Sequence, residues 1–120
     1  MSCLFDSLSH FIPSRTASQI RTDVCDYLSA NAPILDGIDT SAILEIEAGT
    51  ADDYVSKMRQ SHEWGGGIEI QAACNLWAIN VVVQVRRRGE RSDISFAPVD
   101  GAARRTITIA WSGSHYTPVA

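Results

Sequence analysis

The sequence predicts an α+β fold in which N-terminal helices pack on a small, mostly antiparallel C-terminal β-sheet. Apolar residues recur at helical spacing over roughly the first two thirds of the 120 residues, and they alternate at strand spacing afterwards. Hydrophobic residues make up 45% of the chain, which suffices for an ordinary core and excludes a disordered protein. We therefore expect a single domain over residues 1–120.

Helix start and stop signals divide the first part of the chain into five segments. Polar caps precede the apolar runs, and proline or glycine follows them. The expected helices run from Cys3 to before Pro13, from the Thr16–Gln19 capping box to near Asn31, over Thr40–Ala48 before Gly49, from the Thr50 cap through Met58, and over Ile68–Ala78.

The remaining chain has the composition of β-strands separated by turns. β-Branched and aromatic residues alternate with polar ones, and glycine pairs with aspartate or serine between the runs. The proline in the last segment places that strand at a sheet edge. The predicted strands are Val81–Val85, Ile94–Phe96, Thr106–Trp111 and His115–Val119.

Charge is distributed unevenly along a chain whose formal net charge is -4. Residues 1–60 hold nine acids and four bases, which makes this half a poor binder of phosphate backbones and a plausible partner for a basic peptide. A basic cluster, Arg86–Arg88 with Arg91, contains Gly89 and is expected to be a solvated turn. RNA binding through these arginines is the last-ranked functional hypothesis, so no nucleic-acid partner is expected.

The sequence contains no apolar run of membrane-spanning length and no visible signal peptide, so we expect a cytoplasmic protein. In a reducing compartment the three cysteines are expected to be free thiols. Their irregular spacing, without a Cys-x-x-Cys pair, argues against a structural zinc site. We therefore expect no metal and no cofactor.

Cys3 and His115 are the candidate catalytic pair. A helix N-terminus favours the thiolate form of a cysteine at that position, and the thiolate is the nucleophile. A cysteine nucleophile needs a base, which a histidine distant in sequence can provide. His115 follows a tight turn, from which its side chain can project over a neighbouring element. A terminal cysteine and a surface histidine are nevertheless each common by chance.

The other residues capable of chemistry have simpler explanations. Cys25 and Cys74 lie on apolar helical faces and are expected to be buried structural cysteines. The remaining histidines are expected to be solvated or hydrogen-bonded. Asp6 and Glu69 suit a carboxylate pair, and solvated helix faces explain them equally well.

Several motifs in order resemble the ovarian tumour (OTU) family of cysteine proteases, most of which are deubiquitinases. Domains of this family begin with an Asp-Gly-Asn-Cys-Leu-Phe-like motif, which is followed by a helix that starts with an arginine. A Tyr-x3-Met segment then precedes a Trp-Gly-Gly-x-x-Glu motif. The domain ends with strands of alternating pattern and a His-Tyr pair. The matching residues here are Ser2–Leu8, Ile20–Leu28, Tyr54–Met58, Trp64–Ile70, Thr106–Trp111 and His115-Tyr116.

The resemblance implies an OTU-like fold and a thiol protease with Cys3 as nucleophile and His115 as general base. Its substrate would be an isopeptide or peptide bond after the Gly-Gly terminus of ubiquitin or a ubiquitin-like modifier. Ubiquitin's tail carries arginines before its glycines, which suits the acidic half of the chain. The resemblance also assigns substrate contacts to Trp64, Gly65, Gly66 and Tyr116, although packing under the following helix is the preferred explanation for Trp64.

The family's usual third catalytic residue has no clear counterpart. The family's Asp, three residues before the cysteine, would fall before Met1, and the alternative position two after the histidine is Thr117. The site is thus a Cys–His dyad, or another residue orients His115, or the chain is a fragment of a longer protein.

The compact size resembles viral members of the family, which implies host cytoplasm and a viral polyprotein as a second substrate. A hypothesis from a different functional class is that the protein is a catalytically weak or inactive ubiquitin-binding module with the same fold. The absent acid favours this alternative, and the presence of both Cys3 and His115 opposes it.

Overall fold

The computed structural model describes residues 3–119, in which five helices precede four strands. The predicted α+β order is confirmed, with α3 at its predicted bounds and α5 shifted by one residue. The elements are α1 (Cys3–Phe11), α2 (Ala17–Ser29), α3 (Thr40–Ala48), α4 (Ala51–Met58), α5 (Gly67–Trp77), β1 (Ile79–Arg87), β2 (Glu90–Phe96), β3 (Arg105–Trp111) and β4 (Tyr116–Val119).

The helix ends follow the capping residues read from the sequence. The Thr16 hydroxyl accepts the Gln19 N–H at 3.2 Å, and the Gln19 side-chain oxygen accepts the Thr16 N–H at 2.9 Å, which completes the predicted capping box. The Thr50 hydroxyl accepts the N–H of Asp53 at 3.0 Å and starts α4. Gly49 ends α3 with a φ of 88°, a conformation that disfavours side-chain-bearing residues.

The four strands form a mixed sheet in the order β2-β1-β3-β4. The β1–β2 and β3–β4 pairings are antiparallel, as the mostly antiparallel prediction requires, whereas β1 and β3 are parallel. Residues 97–104 cross from β2 to the other side of β1, and this crossover makes the central pair parallel. Pro118 lies in the edge strand β4, where its missing N–H breaks no interior ladder.

The basic cluster forms the turn of the β1–β2 hairpin. Arg88 and Gly89 have φ values of 51° and 78°, the positive angles that a two-residue hairpin turn requires. Residues 86–91 are exposed, which confirms the predicted solvated turn. None of the helices within residues 3–119 is long and apolar enough to cross a membrane.

The core lies between the helices and one face of the sheet. Its largest fully buried side chains come from α1, α2, α3, α5, β1 and β3. Cys25 and Cys74 are both 0% exposed, which confirms their structural placement. The helix α1 packs against α2 and against β4, so it lies at the sheet edge that β4 forms. The core side chains are Leu4, Phe5, Leu8, Ile20, Val24, Cys25, Leu44, Ile70, Ala72, Ala73, Cys74, Ile79, Val81 and Ile109.

A buried arginine fixes the connection between α4 and α5. Arg21 is 5% exposed, and its guanidinium lies 4.3 Å from the centroid of the Phe5 ring. It donates to the carbonyl oxygens of Met58 at 2.7 Å, Ser61 at 3.4 Å and Glu63 at 2.9 Å. A single side chain of α2 therefore satisfies the backbone carbonyls of the segment that leads to α5.

Replacing Arg21 should strongly destabilise the fold. Arg21→Met leaves backbone carbonyls without their donor, so we expect the free energy of unfolding to fall by about 3 kcal/mol. The matched control is Arg59→Met, because Arg59 forms an exposed ion pair with Asp26 and should lose less than about 1 kcal/mol. Urea denaturation measures both. Equal losses for the two variants would contradict the structural role assigned to Arg21.

Candidate active site

Cys3 is the first residue of α1 within residues 3–119, and its side chain is partly exposed. Its backbone carbonyl accepts the Ser7 hydroxyl at 2.8 Å, in the first turn of the helix. Burial raises the pKa of Tyr116, and an electrostatic interaction with the nearby Cys3 raises it further. The packing of α1 on β4 thus brings the thiol of Cys3 near the first residue of β4.

His115 lies in the turn immediately before β4, because the strand begins at Tyr116, one residue later than predicted. Its carbonyl accepts the Ser112 N–H at 3.0 Å, and its own N–H donates to the Ser112 hydroxyl at 3.2 Å. Gly113, with a φ of 100°, allows the chain to reverse between these two residues. The turn therefore fixes the backbone of His115, while its side chain remains exposed.

The indole of Trp64 stacks on the imidazole of His115. The two ring centroids are 6.4 Å apart and the ring planes are inclined by 26°. Trp64 is 48% exposed, so the prediction that it packs under α5 is wrong. Leu4 and Phe5, at 1% and 0% exposure, already lie beneath this part of the chain.

Gly65 rests directly on the first turn of α1. A Cβ atom at this position would lie 2.7 Å from Cδ2 of Leu4 and 3.2 Å from the Phe5 ring, closer than van der Waals contact allows. At Gly66, in contrast, the nearest side-chain atom to an added Cβ would be 4.0 Å away. The 64–66 loop (Trp64, Gly65 and Gly66) thus contacts the helix that begins with Cys3 and the ring of His115.

Glu69 holds the end of this loop from the buried side of α5. It is 1% exposed, so the prediction of a solvated helix face is wrong for this residue, whereas Asp6 is exposed. One carboxylate oxygen accepts the Gly66 N–H at 2.7 Å, and the other accepts the Tyr54 hydroxyl at 2.6 Å. Burial raises the pKa of Glu69, and these two hydrogen bonds oppose that rise.

Sequence reasoning missed the supporting roles of Arg21, Tyr54 and Glu69. A pattern in the sequence points to one of them, because a glutamate three residues after a helix N-cap accepts the N–H of the capping residue. Gly66 and Glu69 have this spacing, with glycine in place of the usual serine or threonine. The contacts of Arg21 and Tyr54 join residues distant in sequence and have no local signal.

Two depressions adjoin the stacked rings. A cavity of about 510 Å³ lies beside Trp64 and includes the carboxylates of Glu47 and Glu63 in its lining. An apolar groove of about 490 Å³ runs along the sheet from Gly67 to Tyr116. Trp64 lines the cavity, and Tyr116, the neighbour of His115 in sequence, lines the groove. Within residues 3–119, no group of three or more His, Cys, Asp or Glu side chains is placed to hold a metal ion.

The sequence from residue 2 to residue 117 matches the family model of the OTU-like cysteine proteases. The chain belongs to this family. None of the curated proteins matches it significantly. Solved structures of the OTU fold do match, so the predicted fold is confirmed along nearly the whole chain.

Three solved structures illustrate the likeness of this OTU-like chain to known folds. The viral OTU domain protease from Dera Ghazi Khan virus has a TM-score of 0.76 at 16% identity, with 98% of this chain and 72% of that chain covered. An OTU domain in complex with ubiquitin has a TM-score of 0.73 at 22% identity, and coverage of 98% and 62%. An OTU deubiquitinase from Wolbachia pipientis wMel, bound to ubiquitin, has a TM-score of 0.69 at 18% identity, and coverage of 99% and 89%.

A methyl group at Gly65 should destabilise the fold and displace the 64–66 loop. Because the added Cβ would overlap Leu4, we expect Gly65→Ala to lower the free energy of unfolding by about 1–3 kcal/mol. Gly67→Ala is the matched control, since its Cβ would lie an ordinary 3.8 Å from the Phe96 ring. Urea denaturation compares the two. A fully stable Gly65→Ala variant would contradict the close approach of loop and helix.

The three cysteines should differ sharply in reactivity. Burial raises the pKa of both Cys25 and Cys74 to about 11, so both remain protonated near neutral pH and are shielded from solvent. Brief treatment of the folded protein with iodoacetamide at neutral pH should therefore alkylate Cys3 alone. Mass spectrometry of tryptic peptides gives the site, and the unfolded protein serves as the control in which all three react. Equal modification of a buried cysteine in the folded protein would contradict this prediction.

Proposed function

We propose that this OTU-like cysteine protease is a deubiquitinase that cleaves isopeptide or peptide bonds after the Gly-Gly terminus of ubiquitin or a ubiquitin-like modifier. The observation that carries the proposal is the packing of α1 against β4, with Cys3 at the start of one and His115 before the other. The fold likeness to OTU domains in complex with ubiquitin supports the same substrate class.

In the proposed reaction, the imidazole of His115 accepts the proton of the Cys3 thiol. The sulfur attacks the carbonyl carbon of the terminal glycine, and backbone N–H groups at the start of α1 stabilise the oxyanion. The tetrahedral intermediate collapses to a thioester while His115 donates the proton to the leaving amine. Water, deprotonated by His115, then hydrolyses the thioester and releases the free carboxylate and the Cys3 thiol.

Selectivity for two glycines is proposed to be steric. Trp64 is exposed beside His115, and Gly65 and Gly66 offer backbone without side chains next to it. A narrow passage of this kind admits a peptide segment without side chains. Tyr116 lines the adjoining apolar groove, which makes it a further candidate for substrate contact.

Charge supports a basic substrate tail. The first half of the chain carries a formal net charge of -5. The cavity next to Trp64 is lined by three acids, Glu47, Glu63 and Glu69, and by one base, Lys57, whose Nζ lies 4.0 Å from Glu63 Oε1. The arginines that precede the glycines in ubiquitin would meet carboxylates there, with charge-assisted hydrogen bonds. The acidic N-terminal half is therefore proposed to face the modifier.

Ubiquitin carrying a thiol-reactive C-terminus tests the proposal directly. We expect a covalent adduct with the wild-type protein and none with Cys3→Ala, and His115→Ala should lower the labelling rate at least about 100-fold because the base is lost. Cys25→Ala is the matched control and should still form the adduct, because that thiol is buried in the core. Gel shift and intact mass measure the adduct.

An unlabelled wild-type protein that is folded and still binds ubiquitin would overturn the catalytic proposal. That result would favour the non-catalytic ubiquitin-binding module instead. Cleavage of a viral polyprotein, the cytoplasmic location and the extent of a single domain over residues 1–120 stay predictions.

A further inference from the structure

The 64–66 loop is the physical link between the two residues proposed for catalysis. At one end the indole of Trp64 stacks on the ring of His115, and in the middle Gly65 touches the first turn of the helix that starts with Cys3. A shift of this loop would therefore change the position of the imidazole relative to the thiol. In a reaction that needs proton transfer between them, such a shift lowers the rate of the chemical step.

Buried polar groups hold both ends of this loop. Glu69 accepts the Gly66 N–H and the Tyr54 hydroxyl at the downstream end. Arg21 donates to the Glu63 carbonyl, immediately upstream of Trp64. Burying a charged group is unfavourable unless hydrogen bonds pair it, so a displaced loop would leave Arg21 and Glu69 each with one hydrogen bond fewer.

His115 also has a stacked aromatic ring where a catalytic histidine usually has a carboxylate. Within residues 3–119, no Asp or Glu forms an ion pair with His115. Thr117, two residues further on, is an exposed strand residue opposite Ala110. The ring contact that the structure gives His115 is the one with Trp64. A neighbouring indole ring restrains the orientation of an imidazole.

We propose that Glu69 is a positioning residue for the protease reaction: it locks the 64–66 loop, and through Trp64 it orients the imidazole of His115. The inference rests on the proposed function, because it assigns His115 the role of base. Glu69 borders the cavity beside Trp64, but it is 1% exposed and both of its carboxylate oxygens accept hydrogen bonds from the protein itself. Its contribution should therefore appear in the turnover number rather than in substrate affinity.

Kinetics on a fluorogenic ubiquitin C-terminal amide test this role. Glu69→Met removes both hydrogen-bond acceptors and should lower kcat at least about tenfold, with KM changed less than about threefold. Glu69→Gln retains an oxygen for the Gly66 N–H and should recover an intermediate kcat. Should Glu69→Met not fold, Glu69→Gln decides the result alone through its lowered kcat.

A matched control separates positioning from general destabilisation. Thr40 is also 1% exposed, and its hydroxyl donates to the Ala32 carbonyl at 2.7 Å between α2 and α3. Thr40→Val removes one buried hydrogen bond at a position away from the loop. It should lower the free energy of unfolding and leave kcat within about twofold of wild type.

Tryptophan emission gives a second readout that does not depend on activity. His115→Gln should change the emission of the wild-type protein, and Trp64→Phe should abolish that change, which assigns the signal to the stacked pair. In the Glu69→Met background, or in Glu69→Gln if the former does not fold, the same change should shrink at least about twofold. Such a loss of coupling would support the proposal even if the protein has no protease activity.

Two results would overturn the inference. The first is a wild-type kcat in the folded Glu69→Met variant, or in Glu69→Gln if only that variant folds, whatever the tryptophan emission shows. The second is a His115-dependent emission change that is as large in that variant as in the wild-type protein. This second result decides the matter if the wild-type protein hydrolyses no ubiquitin substrate. Absence of wild-type labelling and turnover would refute the proposed function alone, and the emission measurements would still decide the role of Glu69.

Discussion

The close packing of Gly65 on the first turn of α1 is the contact on which the site geometry depends. A Cβ at this position would lie 2.7 Å from Cδ2 of Leu4 and 3.2 Å from the Phe5 ring, so a larger residue requires these buried side chains to shift. The contact brings the chain between α4 and α5 down onto the helix that begins with Cys3. Trp64 is consequently lifted to the surface, where its indole meets His115. One backbone approach thus determines the position of both neighbouring features.

This contact is supported by charges that lie inside the protein rather than on its surface. The Arg21 guanidinium, over the Phe5 ring, supplies hydrogen-bond donors to the segment before Trp64, and the Glu69 carboxylate supplies acceptors after it. Desolvation lowers the pKa of Arg21 and raises the pKa of Glu69, so burial opposes the charged form of each. Hydrogen bonds offset this penalty, and two of them, from Arg21 to the Glu63 carbonyl and from the Gly66 N–H to Glu69, depend on the path of the loop.

The sequence predicts the elements well where the determining signal is local. The Thr16 capping box, the Gly49 helix end and the edge position of Pro118 each depend on neighbouring residues, and each prediction is confirmed. The parallel β1–β3 pairing depends on which side of β1 the crossover passes, which no local pattern specifies. Contrary to prediction, Trp64 is exposed and Glu69 is buried. The position of Trp64 depends on the contact of its loop with α1, and the burial of Glu69 depends on its hydrogen bond with Tyr54, and both partners are distant in sequence.

The fold of this chain is shared with proteins that have different residues at most positions. The solved structures share only 16–22% identity with this chain, yet their TM-scores lie between 0.69 and 0.76. Core positions accept many apolar side chains of suitable volume. The glycine at position 65 and the glutamate at position 69 have stricter requirements, since one needs the absence of a Cβ and the other needs two acceptors in a dry site. In this chain the residue types at these two positions are therefore determined by one close contact and by two hydrogen-bond donors, and not by apolar volume.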